Sequence, residues 1–139
     1  ESIKHADKDW ILVLDADETI AEEDISKLRE LILDDNCIGC YFTIRTYTDD
    51  STAAGWVSSK GDSYEESKCA AGWFTTRLIR LFRNNKNIRF DGIVHETINP
   101  LIHRLGDVKS ADFPIHHFGR LKVKTEHKKD LYQKLGKFN

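Results

Sequence analysis

Positions 10–14 read Trp-Ile-Leu-Val-Leu, an unbroken apolar run that stops at Asp15-Ala16-Asp17-Glu18. A short run with no polar alternation predicts a strand covered on both faces, as in the middle of a mainly parallel sheet. Over 22–34 the period changes: Ile25, Leu28, Leu31 and Ile32 recur at helical spacing, with Glu22, Glu23 and Asp24 in the first turn, where they complement the helix dipole. Positions 41–47 alternate aromatic or β-branched residues with polar ones and predict a second strand. The stretch 49–72 is rich in Ser, Asp, Gly and Ala without a period and is expected as a flexible loop. Alternation returns over 76–83, followed by a short strand at 88–90 and a turn at Asp91-Gly92. A short helix broken by Pro100 is expected over 94–105, a strand with paired histidines over 113–118, and a terminal amphipathic helix over 125–139. The polar positions 1–9 read as the end of a helix that runs straight into the first strand.

Length and charge narrow the classes. A chain of 139 residues is one domain, large enough to bury a core without disulfides. With 21 Lys+Arg against 23 Asp+Glu, a net charge of -2 gives no global attraction to nucleic acid or an anionic membrane. The longest apolar run falls far short of the about 20 residues that span a bilayer, so no transmembrane segment is expected. Three cysteines form no disulfide framework, which fits a reducing compartment and a cytoplasmic location. Cys37-Ile38-Gly39-Cys40 spells C-x-x-C, but without a nearby His the better reading is a pair of buried thiols.

The acidic stretch is the first place where chemistry enters. Carboxylates at the C-terminal end of a strand sit where ligands bind in open α/β sheets. Two Asp at i and i+2 on a chain leaving a strand can reach one hard divalent cation. A solvated acidic loop is the plainer account of an arbitrary D-x-D, and the apolar strand in front of this one favours a metal site. The stretch Leu12-Val13-Leu14-Asp15-Ala16-Asp17-Glu18-Thr19 resembles the D-x-D-x-T of haloacid-dehalogenase-type phosphatases, which would make Asp15 a nucleophile. It equally resembles the D-x-D of family 2 glycosyltransferases.

Downstream residues separate the two. Gly106-Asp107 with Asp112 misses the phosphatase Gly-Asp-x-x-x-Asp spacing by one residue. Arg77-Leu78-Ile79-Arg80-Leu81-Phe82-Arg83-Asn84, Ile88-Arg89-Phe90-Asp91-Gly92-Ile93-Val94-His95-Glu96 and Ile115-His116-His117-Phe118-Gly119 together resemble family 2 glycosyltransferases. The likeness is to those associated with lipopolysaccharide core, glycopeptide and tetratricopeptide-linked systems. It covers most of the chain from Trp10 to Gly119 but matches nothing in 49–72.

The resemblance implies an α/β fold: the C-terminal part of a GT-A nucleotide-diphospho-sugar transferase domain, a mixed sheet flanked by helices. It also implies that the N-terminal nucleotide-binding half is missing, so this piece alone is expected not to transfer sugar. Further implications are an inverting transfer from a nucleotide sugar, UDP-linked, to an acceptor glycan, lipid-linked glycan or peptide, with Mn or Mg as the divalent metal. Asp15 and Asp17 would bind the cofactor and, with His117, the metal; Glu96 would be the general base that takes the acceptor proton. Since successive strand residues face opposite sides, only one of His116 and His117 would point at the metal. Glu96 could instead cap a turn or pair with a nearby arginine, the histidines could be one packed and one surface group, and Arg77, Arg80 and Arg83 are expected on a solvated strand face, with pairing to phosphate or an anionic acceptor as the alternative. Trp56 and Trp73 suit sugar rings, although core packing is the commoner use of tryptophan. The rival from another class is a non-catalytic carbohydrate-binding or scaffold domain.

Overall fold

The computed structural model describes residues 2–91, 97–98 and 101–121. In chain order its regular elements are β1 (Trp10–Leu12), β2 (Glu18–Thr19), α1 (Ile25–Leu31), β3 (Cys37–Thr48), β4 (Val57–Ser58), β5 (Gly72–Arg83), β6 (Phe90–Asp91), β7 (Thr97–Ile98), α2 (Ile102–Leu105), β8 (Asp107–Ser110) and β9 (Ile115–His117). The spine is the antiparallel pair of β3 and β5, paired from Gly39↔Phe82 to Thr48↔Gly72 with one bulge between Cys40 and Tyr41. Both strands are rich in Thr, Ile and aromatic residues, which fit a pleated, half-buried surface.

Around this spine the sheet runs β1-β5-β3-β9-β2, with β4 beside β5 and β8 beside β3. β1 lies antiparallel to β5, whereas β8 and β9 both run parallel to the same edge of β3. They are two halves of one interrupted strand: β3 advances from Tyr41 to Ile44 while the partner advances from Ser110 to Ile115. The excess residues, with Pro114 among them, are looped out where a proline cannot join the ladder. β6 and β7 form a separate pair.

Cores lie on both faces. On one, Ile25, Leu28 and Leu31 of α1 pack on Cys40, Phe42, Ile44, Leu81, Phe113 and Ile115, joined by Trp10 and Leu12. On the other, Ile11 and Val13 join Ile79, Phe82, Ile88, Ile98 and Ile102. Fully burying one such side chain stabilises the fold by roughly 1.5–3 kcal/mol. A third cluster, Tyr47, Trp73 and Phe118, extends the second face along the far half of the spine.

Several expectations need correction. Of the run 10–14 only Trp10–Leu12 is strand and Leu14 is exposed; residues 10–13 alternate between two covered faces, but β1 is an end strand, antiparallel to its neighbour, not a central parallel one. The helix predicted over 22–34 starts as a 3-10 turn, Glu22–Asp24, and stops at Leu31, leaving Ile32 exposed. Within 94–105, residues 97–98 form β7 and the helix is confined to α2; residues 94–96 and 99–100 lie outside the described residues, as does the terminal helix expected over 125–139. The segment 49–72 contains β4 and a 3-10 turn, Glu65–Cys69, and is tied to the sheet. Its ties are an ion pair of Arg45 with Asp62 at 3.1 Å, a hydrogen bond from Tyr64 Oη to Asp24 at 2.8 Å, and one from Trp56 Nε1 to the Thr48 carbonyl at 3.2 Å. Cys37 and Cys40 are buried thiols 3.6 Å apart, and burial pushes the Cys40 thiol up to about 12. Among the described residues no helix is long and apolar enough to cross a membrane.

Candidate active site

β1 and β2 stand at opposite ends of the sheet, so residues 13–17 must span it from one side to the other. Backbone contacts pin this crossing at both ends: Val13 N–H donates to the Arg80 carbonyl at 2.8 Å, and Phe118 N–H donates to the Asp17 carbonyl at 3.0 Å. Between them Glu18 N–H donates to the Asp15 carbonyl at 3.0 Å, closing a turn that brings Asp15, Ala16 and Asp17 to the surface. D-A-D-E is thus a tight turn fixed over the sheet, not the tail of a central strand.

Glu18 is the anchor of that turn. Its side chain is 3% exposed; one oxygen accepts the Asp15 N–H at 3.0 Å and the other accepts Arg80 Nη2 at 2.8 Å. Arg80 reaches it from a β-bulge: Cys40 pairs with Leu81 and Tyr41 with Ile79, leaving Arg80 as the extra residue. The same Nη2 lies 3.4 Å from Asp15, whose side chain remains 63% exposed. The expectation of a solvated arginine face therefore fails for Arg80 and Arg83, which are partly buried, and holds for Arg77, which is exposed. Arg77 lies over the Tyr41 ring and donates to Ser110, and Arg83 lies over Trp10 and donates to the Asp34 and Cys37 carbonyls.

The two histidines separate by strand alternation. His117 Nε2 lies 3.4 Å from Asp17 Oδ2, and its Nδ1 lies 3.0 Å from Thr46 Oγ1. A hydroxyl both donates and accepts, so Thr46 satisfies Nδ1 in either tautomer and fixes the ring with Nε2 toward Asp17. Gly119 closes this arrangement from beyond β9: a Cβ there would stand 2.6 Å from His117 Nε2 and closer still to Asp17 Oδ2. Only a residue without a side chain leaves the space between the two groups open.

His116 points the other way and is fully buried. Tyr47 Oη lies 2.6 Å from its Nδ1 and the Tyr47 ring is stacked on it, while the Tyr64 ring meets it edge-on. Burial, aided by the nearby Arg45 charge, lowers its pKa to about 4. The ring stays neutral in the fold while the unfolded chain would protonate near 6.5. Stability should be unaffected above about pH 6.5 and fall by about 2–3 kcal/mol as pH drops toward 4, because only the unfolded chain takes up the proton. Urea midpoints at pH 7 and pH 4.5 for the protein and for His116→Gln should show the wild type losing more on acidification.

The structure thus brings Asp17 and His117 together and turns Asp15 to Arg80. Among the described residues no group of three His, Cys, Asp or Glu side chains is gathered closely enough to hold a metal by itself. Glu96 lies outside the described residues. Sequence reasoning named Arg80 but missed its pairing with Glu18, and it missed Thr46 and the space that Gly119 leaves. Of these only Gly119, in His-His-Phe-Gly, carried a local signal: a glycine directly after two chemically able side chains.

Comparison with known proteins follows the same lines. The family model described as glycosyl transferase family 2 matches residues 1–99. That span includes the D-x-D turn, Glu18 and Arg80 and stops short of His117 and Gly119, whose place in the site rests on geometry. No curated protein matches the chain. A mixed sheet with few helices fits an α/β nucleotide-sugar transferase-like fold, and the match over most of the chain places this protein in glycosyl transferase family 2.

Proposed function

We propose that the Asp17–His117 pair holds the divalent cation, Mn or Mg, that accompanies the diphosphate of a UDP-linked sugar in an inverting transfer to an acceptor hydroxyl. The observation that carries this reading is the 3.4 Å separation of Asp17 Oδ2 and His117 Nε2 across the space that Gly119 leaves free. Adjacent ligands on an ion with bonds of about 2.1 Å stand about 3 Å apart, so a small shift suits the pair to one ion. Small hard cations at phosphate sites commonly take one or two protein ligands and complete their shell with water and substrate phosphates. A pair of protein ligands therefore fits a metal that arrives with its nucleotide. Such an ion supplies positive charge to the departing diphosphate.

The chain's own groups do the rest. Asp17 and His117 fix where the diphosphate sits. Asp15, exposed but steadied by Arg80, is placed to accept hydrogen bonds from the nucleotide. The acceptor oxygen forms its bond to the anomeric carbon as the sugar–phosphate bond breaks and the diphosphate departs with the electron pair. Glu96 is proposed to take the acceptor's proton, since a carboxylate is an ordinary base for a hydroxyl. In this reading Asp15 forms no covalent bond, unlike the nucleophile of the phosphatase alternative. Three free thiols make the cytoplasm the proposed setting.

The test is Mn²⁺ titration with and without UDP, followed by electron paramagnetic resonance. UDP should strengthen Mn²⁺ binding, and Asp17→Asn should weaken it at least tenfold with the thermal midpoint unchanged. Mn²⁺ binding that ignores both UDP and Asp17→Asn would overturn the assignment.

A further inference from the structure

β3 alternation puts Phe42, Ile44, Thr46 and Thr48 on the α1 face, and their partners on β5 are Leu78, Thr76, Phe74 and Gly72. Thr46 fixes His117 on this face, so the rest of the row shows what stands beside the Asp17–His117 pair. At its far end a Cβ on Gly72 would strike the Val57 carbonyl and stand 2.5 Å from Cζ2 of the Trp56 indole. The indole therefore lies directly on the Gly72 backbone, and its Nε1–H to the Thr48 carbonyl, 3.2 Å, stops it from turning. Thr48 is two residues beyond Thr46, which sets the indole about 7 Å along the strand from the residue that holds His117.

Level with Thr46 on β5, and two residues from Gly72, stands Phe74, with the Arg120 guanidinium 5.1 Å from its ring centroid. Neither Trp56 nor Phe74 belongs to any of the three hydrophobic clusters among the described residues. Trp56 is half-buried and doubly anchored, yet it adds nothing to the core. A rigid ring with one face on backbone and area left exposed is suited to the apolar C–H face of a pyranose. A guanidinium one side chain away suits the hydroxyls on that sugar's rim.

We propose that Trp56, with Phe74 and Arg120, forms the subsite for the acceptor's terminal sugar ring, on the same sheet face as the Asp17–His117 pair. The proposal rests on the transferase reading for the word acceptor, and on the geometry of Trp56 alone for carbohydrate binding. It also gives 49–72 a purpose, since this segment carries Trp56 to the sheet.

The test labels the protein with 5-fluorotryptophan, whose three fluorine resonances are assigned by single Trp→Phe variants. It is then titrated with methyl glycosides of glucose, galactose, mannose and N-acetylglucosamine, with no nucleotide present. At least one glycoside should move the Trp56 resonance at millimolar concentration and leave Trp10 unmoved. Trp56→Leu, which keeps apolar bulk without a ring face, should weaken that glycoside at least about tenfold, and Trp56→Phe should retain most of the binding. Thermal melts of both variants check folding. A Trp56 resonance that no glycoside moves, or equal affinity in Trp56→Leu, overturns the subsite. Sugar binding at Trp56 in a protein where Mn²⁺ ignores UDP would leave the carbohydrate site standing and remove the transferase reading. UDP-coupled Mn²⁺ binding with a silent Trp56 would do the reverse.

Discussion

Gly119→Ala is expected to lower Mn²⁺ affinity in the presence of UDP by more than about 100-fold while the protein stays folded. The added methyl group would overlap Asp17 Oδ2 and stand 2.6 Å from His117 Nε2, so the two groups cannot keep their separation of 3.4 Å. Losing a group that merely orients a metal ligand costs about 10–100-fold in affinity, and here both proposed ligands are displaced at once. Gly119 is exposed and lies beyond β9, so a methyl group there disturbs no packed core. Isothermal titration with Mn²⁺ and UDP beside a thermal melt separates the outcomes. Unchanged affinity in a folded Gly119→Ala protein would show that the space between Asp17 and His117 is not where the ion sits.

Glu18→Ala should have the opposite signature, a large loss of stability. Its carboxylate is 3% exposed and its partner Arg80 13%, so removing it leaves a guanidinium largely out of water with only the longer contact to Asp15. Breaking a buried pair by deleting one member costs about 3–5 kcal/mol, because the survivor is left uncompensated. The Asp15 N–H would lose its acceptor as well. Replacing the pair together, as Glu18→Leu with Arg80→Met, should recover most of that loss, since well-packed apolar side chains often substitute for a buried pair without penalty. Urea unfolding of the two single variants and the double variant completes the cycle. A loss below about 1 kcal/mol in Glu18→Ala would mean that water reaches the pair and that it does not anchor the turn.

The parts of this architecture readable from sequence are those governed by a local period. Helical spacing of Ile25, Leu28 and Leu31 gave α1, and alternation placed the strands around 41–47, 76–83 and 113–118. The run 10–14 misled about its extent and its place in the sheet. Continuous apolarity reports that both faces of a strand are covered, and they are, but hydrogen bonding along its edges leaves no trace in side-chain type. The divergence of His116 from His117 was also legible, because a strand alternates strictly, whereas the D-x-D was expected at the tail of a central strand and stands in a turn instead.

The pairing of Arg80 was not legible. The Arg80 side chain is aimed by a bulge, and its partner Glu18 is 62 residues away in sequence. Thr46 was hidden for another reason: a threonine in a strand is unremarkable until the group beside it is known.

The interruption between β8 and β9 has a consequence for how this site can change over time. β9 meets β3 by its own short pairing, from Ile44↔Ile115 to Thr46↔His117, and is not held in phase by continuous backbone from β8. Of the residues between Ser110 and Ile115, Phe113 and Pro114 are buried and Ala111 packs on the core, so packing fixes the length of this break and with it which histidine faces Asp17. An odd change in that length that β9 followed by sliding one place would invert its parity, turning the sequestered His116 toward the aspartate and sending His117 into the pocket of Tyr47 and Tyr64. With a histidine at both positions, a slip that sets His116 opposite Thr46 still presents an imidazole to Asp17, whereas a slip the other way would set Phe118 there.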